Sequence, residues 1–344
     1  MIVDLATRSE HQHGETPPLM RIEGLTVEFP NRSREPGAPR RFRAVDGLSL
    51  EIRPGEVLGL VGESGSGKTT VGKALLRLYE PAGGRVWFRD TDITHLSERR
   101  LKPYRRNLQM IFQDPLASLN PRHTVGRALE IPLLLHRICK RSEVRGAVDR
   151  ILSEVGLSPT LRDRFPHELS GGQLQRVAIG RALTLSPALI VADEAVSKLD
   201  VSVRAQILNL FKEVQERLGL SLLFITHDLH VARYLCHRIG VMYFGKLVEL
   251  APTETLFTSP RHPYTQALLG TLDKDLELAE RDEGFVIGED LGAANEGCRY
   301  YNRCEIRTAR CRIAHPPLER VEREHDIACY ERGSSFPAER QAKS

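Results

Sequence analysis

The chain has 344 residues, a length that suggests about two domains or one large domain with an appendage, and its 41% hydrophobic and 27% charged residues exclude a chain disordered over most of its length. Net charge is +4, from 49 basic and 45 acidic side chains, too balanced to argue for a nucleic-acid partner. Apolar runs such as Ala188 to Ala192 fall far short of the ~20 residues of a spanning helix, and the polar stretch Met1 to Pro18 has no apolar segment of a secretory signal, so the chain is expected in the cytoplasm.

Residues 1–18 read as a disordered tail. Leu19 to Phe29 alternates Ile22, Leu25, Val27 and Phe29, a strand pattern. Residues 31–41, rich in Pro, Gly and Arg, read as an exposed loop. Leu48 to Ile52 and Val86 to Phe88 are further short strands, which together predict an antiparallel sheet near the N-terminus. Val57 to Val61, Leu108 to Phe112, Ala188 to Ala192 and Leu222 to Ile225 are continuously apolar, as suits parallel strands buried on both faces. Helical patterns alternate with them, including Val71 to Tyr79, so the core is expected to be α/β. Residues about 115–185 carry helical spacing without a strand and read as a helical insertion.

Gly62-Glu63-Ser64-Gly65-Ser66-Gly67-Lys68-Thr69, followed by Thr70, matches G-x-x-x-x-G-K-S/T between a buried strand and a helix. The glycines let successive backbone N–H groups turn toward phosphate oxygens, and the helix N-terminus adds its positive dipole end. Lys68 is expected on the β- and γ-phosphates and Thr69 on Mg²⁺. Asp193 and Glu194 end a buried strand; Asp193 is the expected metal partner and Glu194 the expected general base. A helix N-cap followed by a first-turn acid is the plainer alternative for that pair. Leu169-Ser170-Gly171-Gly172-Gln173 opens a helix, with Ser170 at its N-cap and a second anion-binding end. Gln113 and His227 follow apolar strands, at the carboxyl edge where parallel sheets bind ligands.

This set resembles the ATP-binding cassette (ABC) family, the ATPase subunits of membrane transporters, over about residues 19–265. The P-loop, Gln113, the Leu169–Gln173 signature, Asp193-Glu194, Ser197-Lys198-Leu199-Asp200 and His227 occur in that family's order. The resemblance implies a P-loop ATPase core with a mainly parallel sheet, an N-terminal antiparallel β subdomain and an inserted helical subdomain. It implies two subunits that sandwich two ATP molecules head to tail, so that Ser170 and Gly172 act on the partner's nucleotide. Asp200 then links the two sites, His227 contacts the γ-phosphate, and Gln113 joins Thr69 and Asp193 at Mg²⁺. The family stacks adenine on an aromatic ring, here Phe29 or alternatively Phe42. Ala195 stands where the family has Pro, and Lys198 where it has a small residue; neither change removes a reacting group.

Phe112 to Pro121 and Ser259 to Leu269 look like the ATPases of oligopeptide and dipeptide importers, a branch shared by nickel and glutathione importers. The resemblance implies a second, non-identical ABC ATPase subunit, two membrane-spanning permease subunits and, indirectly, an extracytoplasmic solute-binding protein. The chain is then peripheral on the cytoplasmic face of the membrane. A soluble non-transport ABC ATPase usually carries two cassettes or long arms, and this chain has one P-loop. A regulatory module that binds nucleotide without hydrolysis is disfavoured by Glu194 and His227.

Four of the six cysteines, Cys298, Cys304, Cys311 and Cys329, fall within 32 residues. Wide spacing without C-x2-4-C pairs is unusual for zinc and compatible with a 4Fe-4S cluster; zinc and unligated thiols stay open. The importer branch has a similar C-terminal pattern, so residues 266–344 are expected to form a small cysteine-rich extension.

Overall fold

The computed structural model describes residues 17–31, 40–275 and 297–333, with the backbone alone for 271–275. The tail expected over 1–18 and the loop over 31–41 lie largely outside these, as do parts of the C-terminal extension.

β1 (Met20–Pro30), β2 (Arg41–Ile52), β4 (Gly83–Phe88) and β5 (Thr91–Asp92) form an antiparallel sheet in the order β2-β1-β4-β5. The second sheet has the order β11-β12-β10-β9-β3-β8-β7-β6. Its parallel part is β6 (Leu108–Ile111), β7 (Leu189–Asp193), β8 (Ser221–Ile225), β3 (Val57–Val61) and β9 (Arg238–Tyr243). Every residue of β3, β7, β8 and β9 is buried, which is why β3, β7 and β8 read as apolar runs rather than alternating ones.

The two faces of this sheet serve two cores. Leu58, Leu60, Val191, Leu223 and Ile225 pack with the N-terminal sheet and with α1 (Lys68–Leu75). Val57, Val61, Ile190, Ala192, Leu222 and Phe224 pack with α4 (Val125–Leu135), α5 (Val144–Glu154), α6 (Gly171–Leu183) and α7 (Val201–Leu218). The period of two along each strand thus assigns neighbouring residues to opposite cores. Between β6 and β7 the chain is helical, with α3 (Pro115–Ser118) preceding α4. α2 (Glu98–Arg105) precedes β6, and α8 (Leu229–Leu235) joins β8 to β9.

One expectation is corrected, and the structure adds elements that the sequence reading lacked. The first helix stops at Leu75, not Tyr79: Leu76 is its C-cap and Arg77 adopts φ +54°. β9 and β10 (Lys246–Pro252) are strands that the sequence reading missed; they form a hairpin through Phe244 and Gly245, both at positive φ, the backbone that tight hairpin turns require. The C-terminal extension adds strands to the main sheet. After α9 (Thr253–Thr258), α10 (Pro263–Asp275) and α11 (Ala309–Ile313), β11 (Glu319–Glu322) and β12 (His325–Ile327) extend the main sheet antiparallel beyond β10.

Candidate functional site

The loop Gly62–Thr69 leaves the carboxyl end of β3 and enters α1. Gly67, at φ +100°, is the N-cap; a Cβ there would lie 2.3 Å from the Ala44 carbonyl oxygen. Gly62, at φ +147°, would bring a Cβ to 2.2 Å from the Met242 carbonyl. No side chain fits at either position, so the loop lies flat against neighbouring backbone. Ser64 and Gly65 are exposed, while Ser66 is buried and Thr70 half-buried. Lys68 is buried, and its ammonium donates to Gly62 O (2.7 Å), Glu63 O (2.8 Å) and Ser66 Oγ (3.2 Å). Burial lowers its pKa, against the pull of Glu194, Asp193 and Glu63.

Thr69 Oγ1 donates to Asp193 Oδ1 at 2.8 Å. The end of β7 therefore stands directly beneath the start of α1. Burial raises the Asp193 carboxyl, the Thr69 hydrogen bond opposes that, and the Glu194 charge adds to it. Adjacent acids with a hydroxyl fit Mg²⁺, which binds through one or two protein groups and leaves its other positions to phosphate and water.

Glu194 adopts φ +46°, a strained conformation for a residue with a Cβ, held by its N–H on Ile225 O at 2.9 Å. The twist aims its carboxylate between two other loops. Gln113 Nε2 donates to Glu194 Oε2 at 2.6 Å, and His227 Nδ1 lies 3.4 Å from Glu194 Oε1. Gln113 lies two residues past the end of β6, and His227 two past β8. Three residues remote in sequence thus meet at the carboxyl edge of the parallel strands, around the carboxylate next to Asp193.

The signature lies elsewhere. Ser170 Oγ accepts the Gln173 N–H (3.3 Å) and Gln173 Oε1 accepts the Ser170 N–H (3.0 Å), a capping box on α6. Among the described residues no hydrogen bond joins Ser170–Gln173 to the P-loop or to Glu194. The signature glycines pack instead on the start of α7: a Cβ at Gly172 would meet Val203 Cγ1 at 2.5 Å, and one at Gly171 would touch Leu199. Asp200 caps α7, accepting from Val203 N–H (2.9 Å) and Ser202 Oγ (2.8 Å), and the Val203 bond holds its pKa down. Lys198 reaches Asp114 Oδ2 at 3.4 Å across exposed surface, and Ala195 is buried. Phe29 and Phe42 face each other across β1 and β2 with centroids 5.8 Å apart. The two alternatives for the adenine contact are therefore one aromatic pair. Tyr79 covers Phe29 edge-on at 5.3 Å, and Phe42 is the more exposed.

Cys298, Cys304, Cys311 and Cys329 line one cavity with His262, Tyr300 and neighbouring residues. Burial pushes the Cys298 and Cys329 thiols up to about 11 and raises Cys304, so without a ligand they are neutral. Among the described residues no group of three or more His, Cys, Asp or Glu side chains is set to hold a metal ion. The thiols share a cavity without forming a coordination shell around one point.

Sequence reasoning missed a buried polar group behind the P-loop. Glu249 in β10 is fully buried and accepts from Arg261 N–H (2.7 Å), His262 N–H (3.0 Å) and His325 Nε2 (2.7 Å). Tyr264, next to His262, accepts the Glu63 N–H on its hydroxyl at 3.1 Å. The run Ser259 to Leu269 was visible as a branch mark, but nothing in its spacing points to residue 63.

No helix among the described residues is long and apolar enough to cross a membrane. The profile of the ABC transporter family matches residues 45–197, and that of the oligopeptide/dipeptide transporter C-terminal region matches 248–311. The oligopeptide transport ATP-binding protein AppF of Bacillus subtilis is 45% identical over 321 residues, spanning 91% of this chain and 97% of that protein. Among solved structures, the ATP-binding cassette MJ0796, a dimer in a post-hydrolysis state bound to ADP and Pi, superposes with TM-score 0.61 at 29% identity. It covers 68% of this chain and 98% of its own. The protein cbiO1 from Clostridium perfringens, part of the transporter complex cbiONQ, gives TM-score 0.62 at 25% identity over 76% of this chain and 96% of its own.

Proposed function

The chain belongs to the ABC transporter family as an ATPase of the oligopeptide/dipeptide branch, and from that premise we propose that it powers peptide import across the cytoplasmic membrane. The observation that carries the reading is the meeting of Gln113, Glu194 and His227 beside the Thr69–Asp193 bond. Thr69, Asp193 and Gln113 would hold Mg²⁺, which when bound would neutralise charge on the phosphates. Gly62 to Thr70 cradle the phosphates, with Lys68 exchanging its loop carbonyls for phosphate oxygens. Glu194 takes the proton of the attacking water, Gln113 and His227 fix its carboxylate, and His227 touches the γ-phosphate. The aromatic pair led by Phe29 receives adenine.

Ser170, Gly171, Gly172 and Gln173 serve the nucleotide of a second ABC ATPase subunit, a non-identical paralogue, with Asp200 at the seam. What supports a role across a dimer is their separation from this chain's own P-loop. The nucleotide-binding domain spans 19–265, its helical subdomain about 115–185 docks on two permease subunits, and 266–344 form the extension. An extracytoplasmic binding protein delivers solute to those permeases, and the chain sits peripherally on the inner face. Reconstitution with cognate permeases into proteoliposomes tests this: peptide uptake should require ATP and vanish with Lys68→Ala. Uptake of nickel or glutathione in place of peptides would redirect the reading within the branch, and ATPase activity with no permease association would end it.

What supports a 4Fe-4S cluster is the donor chemistry of four thiols that line one cavity. Such a cluster spreads its ligands over four irons rather than one point, and when bound it would staple this short segment. Anaerobic purification with iron and sulfide analysis tests it: about four irons per chain are expected, lost with Cys304→Ser. Zinc alone, or no metal, would reject the cluster.

A further inference from the structure

The P-loop is held from behind by the C-terminal segment. Glu249 fixes the turn before α10 through the Arg261 and His262 amides. His262 Nδ1 accepts the Tyr264 N–H at 3.0 Å, and burial pushes this imidazole down to about 4, so it stays neutral and keeps that acceptor. The Tyr264 ring is wedged between Tyr243 (4.5 Å) and Tyr300 (5.5 Å). With the ring so packed, its hydroxyl lies at the Glu63 N–H. On the other side of the same residue, Arg303 Nη1 lies 3.6 Å from Glu63 Oε1 and also donates to Tyr243 Oη at 3.4 Å.

Glu63 follows Gly62, whose φ of +147° starts the bend of the loop. A loop that works by aiming backbone N–H groups gains affinity when its bend is set before the ligand arrives. We propose that Tyr264 and Arg303 are positioning residues of the P-loop, through which the C-terminal segment sets the affinity for the phosphates of ATP. The proposal rests on the reading of Gly62–Thr69 as the ATP site.

The test is calorimetric binding of Mg·ATP to the full chain, with kcat measured in the reconstituted transporter. Tyr264→Phe keeps the ring packing and removes the acceptor; Arg303→Met keeps the stem and removes the charge. A net hydrogen bond of about 0.5–1.5 kcal/mol corresponds to roughly a 2- to 12-fold rise in Kd. Tyr264→Phe should show a rise of that size and Arg303→Met, which loses a part-exposed ion pair, a rise of up to about fivefold, both with kcat within about twofold and only the few degrees of melting temperature that one lost contact costs. A merely structural role would lower the melting temperature and the active fraction and leave Kd alone, which would overturn the proposal. Should Tyr264→Phe fail to fold, Arg303→Met carries the same test from a partly exposed position. Wild type and Lys68→Ala separate the two readings. If wild type binds no ATP, the site assignment itself is wrong. If wild type binds, Lys68→Ala does not, and both C-terminal variants match wild type, the positioning role alone is refuted.

Discussion

Replacing Glu194 with glutamine isolates one function of that side chain. Its two oxygens have different neighbours: Gln113 Nε2 at 2.6 Å on one and His227 Nδ1 at 3.4 Å on the other. An amide turned with its oxygen toward Gln113 keeps that hydrogen bond, and its NH₂ then faces the imidazole nitrogen, which can accept. The left-handed backbone and the N–H bond to Ile225 O are untouched. Glu194→Gln should therefore fold and bind ATP as wild type does, and lose only the capacity to accept a proton. General-base loss is worth about 10²- to 10⁴-fold, or roughly 3–5.5 kcal/mol of barrier. In single-turnover hydrolysis by the assembled transporter, the rate should drop by at least about 10² while Kd for ATP stays within about twofold. A closed ATP-bound dimer should accumulate on size exclusion. Hydrolysis within tenfold of wild type, with ATP binding intact, would mean that the carboxylate is not the base.

Three further outcomes follow from particular contacts. Gly67→Ala puts a Cβ against the Ala44 carbonyl at a φ of +100°; left-handed strain of about 1–2 kcal/mol plus that clash should weaken ATP binding at least about tenfold, and wild-type affinity in calorimetry would contradict the packing described. Glu249→Gln leaves one oxygen for three donors, so at least one buried donor loses its partner at about 1–3 kcal/mol; the melting temperature should fall by several degrees, and a change under about 1 °C would refute the argument. His262 takes up its proton near 6.5 when unfolded but only near about 4 when folded, so between those pH values the unfolded state holds more protons and stability falls as pH falls. His262→Asn, which keeps an acceptor for the Tyr264 N–H, should flatten that slope in denaturation midpoints measured from pH 6.5 to 4; an unchanged slope would assign the acid sensitivity to other groups.

What the sequence disclosed, and what it hid, divides along sequence distance. β3, β7 and β8 were legible because burial on both faces leaves an unbroken apolar run. The P-loop was legible because its glycines, lysine and threonine are contiguous. The first helix was overextended because Leu76, Leu78 and Tyr79 continue an apolar pattern, whereas the backbone turns left-handed at Arg77. β9 and β10 were passed over although Gly245 marks their turn. Gln113, Glu194 and His227 were singled out by strand position and by family resemblance; their meeting is a property of the β6-β7-β8 order, which no local pattern encodes. Tyr264 and Glu63 are 201 residues apart, and Glu249, a charged residue at a fully buried position, becomes intelligible only once His325 and two backbone amides surround it.

The pairing of β12 with β10, through Glu249 opposite Ile327 and Leu250 opposite Asp326, bears on where this protein can be cut. β10 presents Leu247, Val248, Leu250 and Ala251, all buried, and a chain truncated after residue 265 would bare that strand's hydrogen-bonding edge. An uncovered apolar edge is a template for other strands, so such a fragment should aggregate even with its nucleotide loop intact. Grafting the tail of one relative onto the cassette of another carries the same hazard, because the donor hairpin must match both the register of β10 and the acid at position 249. The smallest portable unit therefore runs past β12 through Cys329, whose neighbour Ala328 still donates to Val248 O, and the cysteine segment on either side of that hairpin travels with the catalyst.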